Sequence, residues 1–92
     1  MKKNERNTYD WLTNEHPEAF KLFRCGDFYE AHLDDAVAVG IALGTPIKKD
    51  EEGELTTGFP YHALDAYLPK LIRAGYKIAI CDDITGRMKS DE

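Results

Sequence analysis

Serine is almost missing from this chain, since Ser90 is the single serine among 92 residues. A serine nucleophile of a catalytic triad therefore has no candidate in the body of the chain. The glycine-rich motifs GxGxxG and GxxxxGKS/T are missing too, which argues against phosphate binding of these types. Cys25 and Cys81 lie far apart, match no metal-ligand spacing and have no histidine beside them. We therefore predict that the chain is not an enzyme and uses no cofactor, ATP included.

Long hydrophobic runs are also missing. No stretch approaches the roughly 20 apolar residues that cross a bilayer. Residues 1–6 are polar and charged, with no apolar segment behind them that would make a signal peptide. The sequence therefore predicts a cytoplasmic protein without membrane contact, whose two cysteines stay reduced.

An excess of basic charge, the usual mark of a nucleic-acid-binding protein, is missing as well. The chain carries 17 acidic and 12 basic residues, for a net charge of −5. Many of the acids are concentrated in residues 50–54 and in the last two residues, and the rest of the chain is close to neutral. The acid pairs at residues 34–35 and 82–83 offer oxygen ligands to a hard cation. A helix start and a solvated strand end explain them better, so no metal site is predicted.

The length of the chain allows one hydrophobic core. We expect a flexible basic arm over residues 1–7, a globular domain over residues 8–84 and a flexible tail over residues 85–92. The predicted fold class is α/β (α+β). It consists of a mixed sheet of about five strands with an N-terminal hairpin, a parallel crossover unit and about three flanking helices.

The individual elements are predicted from periodicity and from the residues that stop them. Helices are expected over residues 8–15, 34–43 and 62–74. Strands are expected over residues 20–24, 28–33, 45–48, 55–59 and 77–81. His16-Pro17 ends the first helix, and Pro69 is expected to kink or split the third. The last strand is apolar on both faces and is predicted to be central, whereas Pro46 places the third strand at an edge.

Residues 24–32 have the most unusual pattern in the chain. A Gly-Asp turn at residues 26–27 is followed by alternating side chains, which places Phe28, Glu30 and His32 on one face of a strand. A ring exposed on a hairpin can wedge between base steps from the minor groove, and a neighbouring carboxylate can hydrogen-bond a base edge. The residues alone leave open a second interpretation, in which Phe28 is an ordinary core aromatic and Glu30 a solvated acid.

Five sequence blocks occur in a specific order, at residues 23–30, 34–36, 57–63, 67–75 and 78–82. The first block contains Gly-Asp-Phe-Tyr-Glu, and the third contains Gly-Phe-Pro-Tyr-His-Ala. In this order and spacing, over about residues 8–84, the chain resembles the N-terminal mismatch-recognition domain (domain I) of the MutS family of DNA mismatch repair proteins.

The resemblance implies a DNA-binding module that recognises mismatched or distorted double-stranded DNA. In that family the Phe of an F-x-E motif stacks on the mispaired base from the minor groove, and the Glu hydrogen-bonds it. The matching residues here are Phe28 and Glu30. The candidate phosphate contacts are Lys2, Lys3, Arg6 and Arg24. Other repair or mobile-element proteins are the further partners that the resemblance suggests.

The chain also departs from the family pattern. Family members are long chains with connector, lever, clamp and ATPase domains. Residues 37–39 read Val-Ala-Val where members often carry basic residues, and residues 50–54 are acidic. Both features lower the expected affinity for DNA phosphates. The alternative is therefore a protein-interaction module that keeps the domain I fold but has lost DNA binding. Acidic side chains around the ring of Phe28 would favour that alternative.

Overall fold

The structure, a computed structural model, describes residues 1–82 of the chain. The helices are α1 (Lys3–Glu15), α2 (Asp34–Leu43) and α3 (Leu64–Arg73), and a short 3₁₀ turn spans Tyr61–Ala63. The strands are β1 (Ala19–Cys25), β2 (Phe28–His32), β3 (Lys48–Lys49), β4 (Leu55–Pro60) and β5 (Lys77–Cys81). They form one mixed sheet in the order β3-β4-β2-β1-β5, which confirms the predicted α+β class.

The sheet is built around the β1–β2 hairpin. Cys25 of β1 pairs with Phe28 of β2, so only Gly26 and Asp27 lie in the turn. Gly26 has a φ of 61°, a left-handed conformation that glycine adopts at little cost. β4 pairs antiparallel with the other side of β2 over the whole strand. The backbone of β2 is therefore held from both sides.

The two edges of the sheet are β3 and β5. β3 is an edge strand, as predicted, but it contains only two residues. β5 was predicted to be central, and that prediction is wrong, since in the sheet formed by residues 1–82 β5 lies at the opposite edge and pairs with β1, in parallel. Ile80 of β5 is accordingly 38% exposed. β4 and β5 point in the same direction, so the predicted parallel crossover exists, but it passes over β1 and β2 instead of joining neighbouring strands.

One face of the sheet carries the main hydrophobic core. α2 and α3 cover this face through Val39 and Leu71, both fully buried. The sheet contributes Leu22, Tyr29, Ala31 and Phe59 to the same cluster. Each large apolar side chain buried in this way stabilises the fold by about 1.5–3 kcal/mol. This core fixes one side of the hairpin and leaves its other side for α1 and for solvent.

α1 packs on the opposite face of the sheet. Tyr9 of α1 stacks on Phe23 of β1, with ring centroids 6.4 Å apart. Trp11 of the same helix is 59% exposed. α1 ends directly before the His-Pro pair, as predicted. Because α1 covers β1 and not β4, part of this face stays open.

α1 begins earlier than the sequence suggested. The predicted start was Thr8, whereas the helix starts at Lys3. The backbone N–H of Lys2 donates to the carboxylate of Glu5 at 3.2 Å, which satisfies one of the amide groups that a helix start leaves unpaired. Residues 3–7, predicted as part of a flexible arm, are therefore helical.

α3 runs through Pro69 without interruption, so of the two outcomes predicted at this residue, a kink or a split, the split does not occur. Pro69 cannot donate a hydrogen bond to the carbonyl of Asp65. Both residues lie on the exposed side of the helix, where water can reach that carbonyl. The irregular segment falls before α3, in the 3₁₀ turn. The predicted domain end at residue 84 and the tail over residues 85–92 lie outside the described residues.

Candidate nucleic-acid interface

Phe28 stands at the end of the hairpin, where β2 begins. It lies between Cys25 of β1 and Pro60 of β4 in the two strand ladders. The turn is tied to the following segment, because the backbone N–H of Tyr61 donates to the carbonyl of Asp27 at 2.8 Å. Phe28 is nevertheless 47% exposed. The ordinary core position that the sequence left open for this ring is therefore excluded.

Glu30 lies on the same face as Phe28, as the period-two pattern predicted, and its side chain is 37% exposed. Its partner across the ladder on β4 is Gly58. A Cβ atom on Gly58 would lie 2.8 Å from the carbonyl oxygen of Tyr29 and 3.3 Å from Cγ of Glu30. Glycine at this position therefore lets β4 approach β2 closely and leaves room for the Glu30 side chain.

His32 is the third residue of this face, and it is buried instead of exposed, at 3%. Its Nε2 atom lies 3.6 Å from Oε1 of Glu30, and its ring meets the ring of Phe23 edge-on at 5.9 Å. Within residues 1–82, neither imidazole nitrogen has a hydrogen-bond partner. The sequence pattern placed His32 on the correct face but did not predict its burial against Phe23 of β1.

Two lysines at the edge of the sheet lie close to this pair. Lys48 and Lys49 of β3 line a hollow of about 360 Å³ that Phe28 and Glu30 also border. Neither lysine forms an ion pair with another residue in the range 1–82. Sequence reasoning missed both as candidate phosphate contacts because it assigned one to an edge strand and the other to an acidic loop. The two adjacent lysines next to a predicted edge strand were the sequence feature that could have indicated these phosphate contacts.

Three of the four predicted phosphate contacts come together in one place. Lys2, Lys3 and Arg24 line a larger groove, of about 800 Å³, which Glu30 and His32 also line. Arg6 pairs with the carboxylate of Glu54.

Arg24, the fourth predicted contact, serves the hairpin itself. Its Nε donates to the carbonyl of Gly26 at 2.6 Å, and its guanidinium lies 3.7 Å above the ring of Tyr61. Arg24 therefore holds the turn against the 3₁₀ segment. The charged groups on the hollow beside Phe28 are Glu30 and the two lysines of β3, so acids do not dominate the described surroundings of the ring.

The acidic loop is engaged with the start of α1. The amino group of Met1 lies 2.7 Å from Glu52, 3.2 Å from Glu54 and 3.5 Å from Asp50. The hydrogen bond to Glu52 is the largest cause that raises the pKa of this amine to about 10. The terminal amine and Arg6, one of the three basic side chains of the predicted arm, thus compensate acids of the loop.

Three further residues with reactive side chains, Cys25, Tyr29 and Asp35, have structural partners. The thiol of Cys25 donates to the carboxylate of Glu5 at 3.0 Å, and burial raises the pKa of that thiol. The hydroxyl of Tyr29 donates to Asp82 at 2.7 Å. Asp35, the second residue of α2, accepts hydrogen bonds from β1. No helix in residues 1–82 is both long and apolar enough to span a membrane.

The structure is a small α+β domain with a half-exposed aromatic ring and a partly exposed carboxylate on the strand that follows a hairpin turn. The family model for MutS domain I matches residues 5–91 of the sequence. The chain belongs to the MutS domain I family.

Curated relatives agree with this assignment. The chain is 49% identical over 77 residues to the DNA mismatch repair protein MutS of Phocaeicola vulgatus, a match that covers 79% of this chain and 9% of the relative. The MutS protein of Bacteroides thetaiotaomicron is 52% identical over 77 residues, with the same coverage. That of Porphyromonas gingivalis is 43% identical over 86 residues, covering 89% of this chain and 10% of the relative. The chain therefore spans about a tenth of the length of these relatives.

Proposed function

We propose that this domain binds double-stranded DNA and recognises mismatched base pairs through Phe28 and Glu30, as part of DNA mismatch repair. The observation that carries the proposal is the position of Phe28, whose half-exposed ring stands on a backbone held by two strand ladders. Membership in the MutS domain I family supports it, since the relatives named above are DNA mismatch repair proteins.

The chemistry of the pair favours damaged or mispaired sites over normal duplex. An apolar ring that enters the minor groove separates two stacked base pairs. This unstacking costs a few kcal/mol in paired DNA and less at a mismatch. The carboxylate of Glu30 can accept a hydrogen bond from a base, but it repels phosphates. Both effects lower the affinity for matched DNA more than the affinity for a site that is already unstacked.

The phosphate contacts in this proposal come from Lys48 and Lys49. They lie beside Phe28 and Glu30 and have no ion-pair partner within residues 1–82. With two lysines as its main phosphate contacts, the domain should bind in the non-specific range, with a Kd of about 10⁻⁴–10⁻⁶ M that depends strongly on salt. Lys2, Lys3 and Arg24 are secondary candidates, and Arg6 is weakened as a candidate by its pairing with Glu54.

We propose that the domain acts by binding alone, without catalysis and without a cofactor. The sequence contains neither glycine-rich phosphate-binding motif. A DNA target also agrees with the cytoplasmic location predicted from the sequence.

Fluorescence anisotropy at about 50 mM salt, with matched and singly mismatched duplexes, tests the proposal. We expect tighter binding to the mismatched duplex. Phe28→Ala should weaken that binding about 5- to 150-fold, the equivalent of the 1–3 kcal/mol of one base–aromatic stack. Trp11→Ala, which removes an exposed aromatic residue from α1, is the matched control and should leave both affinities unchanged.

The substitution Lys48→Ala distinguishes phosphate contacts, which position the domain on any duplex, from recognition of the mismatch. It should weaken binding to both duplexes by the same factor and reduce the slope of log K against log salt by about 1. Equal affinity for both duplexes in the wild-type domain, unchanged by Phe28→Ala, would refute mismatch recognition.

The alternative function, a protein-interaction module on the same fold, is favoured by the net charge of −5 alone. The lysines beside the ring argue against it. If neither duplex binds at low salt, this alternative becomes the better hypothesis, and a partner protein whose binding depends on Phe28 would support it.

A further inference from the structure

We propose that His32 is a positioning residue for Glu30, and that its protonation strengthens mismatch binding as the pH falls from about 8 to about 6. The proposal rests on the function proposed above, because Glu30 is the group through which His32 acts. A protonated His32 would hold the carboxylate of Glu30 and compensate its negative charge where the DNA approaches.

The first support is the unsatisfied state of His32. The residue is 3% exposed, and among the residues that the structure describes neither of its ring nitrogens has a hydrogen-bond partner. Buried polar groups in native structures are nearly always hydrogen-bonded, and an exception needs a cause. The imidazole lies on the wall of the groove of about 800 Å³, which Glu30 also lines. The unpaired nitrogens are thus next to the recognition surface.

The second support is the distance to Glu30. The Nε2 atom of His32 lies 3.6 Å from Oε1 of Glu30, and no other acid of the described chain is within ion-pair distance of His32. A small rotation of the more exposed Glu30 side chain would close this gap to a charge-assisted hydrogen bond. His32 itself is held by its edge-on contact with Phe23. The carboxylate can therefore adjust to the histidine, and its position would depend on the charge of the ring.

Charged groups from β1 and α1 also face this region, but they have partners. The β1–β2 register, continued by two residue pairs, places Lys21 opposite His32, and Lys21 is paired with Asp35 at 3.1 Å. Glu5 of α1 accepts the hydrogen bond of the Cys25 thiol. Neither pair leaves an uncompensated charge beside the imidazole.

The other wall of the groove contains cations and acids in similar number. Lys2 and Lys3 come from the start of α1, and Asp50, Glu51 and Glu52 come from the acidic loop. Asp50 and Glu52 are bound to the terminal amine. Arg24 also lines the groove but is bound to the turn. Glu30 is therefore the acid whose carboxylate position responds when the imidazole gains a proton.

The consequence for DNA binding follows from linkage. Phosphates and the base edge add negative potential near Glu30, which favours the protonated form of His32 in the complex. Binding should therefore take up a proton, and the affinity should rise as the pH falls. We expect an increase of about fivefold or more in the affinity for mismatched DNA between pH 8 and pH 6.

An NMR titration of the free domain tests the coupling without DNA. The imidazole signals of the wild type, of Glu30→Gln and of His32→Phe are followed from pH 5 to pH 8, the last variant serving to assign His32. The midpoint of the His32 signal should move to lower pH in Glu30→Gln. The matched control is Glu18→Gln, which alters the exposed His16–Glu18 pair, at 3.9 Å, and should leave His32 unchanged.

Anisotropy with the mismatched duplex at pH 6, 7 and 8 provides the functional readout. The increase toward pH 6 should disappear in Glu30→Gln and in His32→Phe, which keeps a ring against Phe23, and should persist in His16→Asn. An unchanged His32 midpoint in Glu30→Gln, or a persistent increase in both variants, overturns the inference. If the midpoint moves but the domain does not prefer mismatched DNA, the coupling stands and the proposed function fails.

Discussion

The buried ion pair between Lys21 and Asp35 gives the sharpest prediction for stability. The Nζ of Lys21 lies 3.1 Å from Oδ2 of Asp35, and the backbone N–H of Lys21 donates to the same oxygen at 3.0 Å. The two side chains are only 4% and 7% exposed. The ammonium also lies 3.2 Å from Oγ1 of Thr13 and 4.5 Å from the ring centroid of Tyr9. The pair therefore joins β1 to α2 under the cover of α1.

Asp35→Ala leaves the charge of Lys21 buried without its counter-ion. Breaking such a pair costs about 3–5 kcal/mol, and the remaining contacts of Lys21 with Thr13 and Tyr9 place this case at the lower end, about 3 kcal/mol. A domain of this size has a free energy of unfolding of about 5–14 kcal/mol. The substitution should therefore remove between a fifth and more than half of the stability.

The double variant Lys21→Met/Asp35→Ala separates the buried charge from the loss of contacts. It removes both charges, so it should be about 2 kcal/mol more stable than Asp35→Ala alone, because no unpaired ion is left. Urea unfolding followed by circular dichroism measures all three proteins. A cost below about 1 kcal/mol for Asp35→Ala, or a double variant no more stable than the single one, would contradict the argument.

Two further predictions concern β4 and β5. Gly58→Ala should destabilise the fold by about 1–3 kcal/mol, because the new Cβ meets the carbonyl oxygen of Tyr29, and it should reduce the mismatch preference by displacing Glu30. Urea unfolding and anisotropy measure the two effects, and an unchanged preference would show that the position of Glu30 does not depend on this contact. Burial, and then the neighbouring Asp82, raise the pKa of the Cys81 thiol from 9.0 to about 11. The unfolded chain loses this proton first, so the free energy of unfolding should fall as the pH rises from 9 toward 11, and Cys81→Ala should make that decrease shallower.

Local patterns in the sequence were enough to predict most elements and the face of the site. The Gly-Asp turn and the alternation after it correctly placed Phe28 and Glu30 on one face of β2. Gly44 ends α2 in the left-handed conformation, with a φ of 75°, as expected of a C-cap glycine. These features depend on a few consecutive residues, which a sequence pattern records directly.

Features that depend on distant residues were not predictable in this way. β5 is apolar on both faces, but its place at the edge depends on which strands pair, which alternation does not record. The burial of His32 involves the ring of Phe23 on the neighbouring strand β1. The pairing of Arg6, one of the predicted phosphate contacts, with Glu54 joins residues 48 positions apart. Lys48 and Lys49 reach the site only because β3 pairs with β4.

The anchoring of Phe28 has a consequence for the entropy of binding. Ordering one backbone residue costs about 1–2 kcal/mol, and a single stacked base returns only about 1–3 kcal/mol. A free peptide with the hairpin sequence would have to order many backbone residues to gain the stacking free energy of that one base. In the folded domain the ladders to Cys25 and Pro60, and the hydrogen bond from Tyr61 to Asp27, have already ordered this backbone. The ordering cost is met during folding, so that the proposed contact with DNA would have to restrict little more than the rotation of one ring.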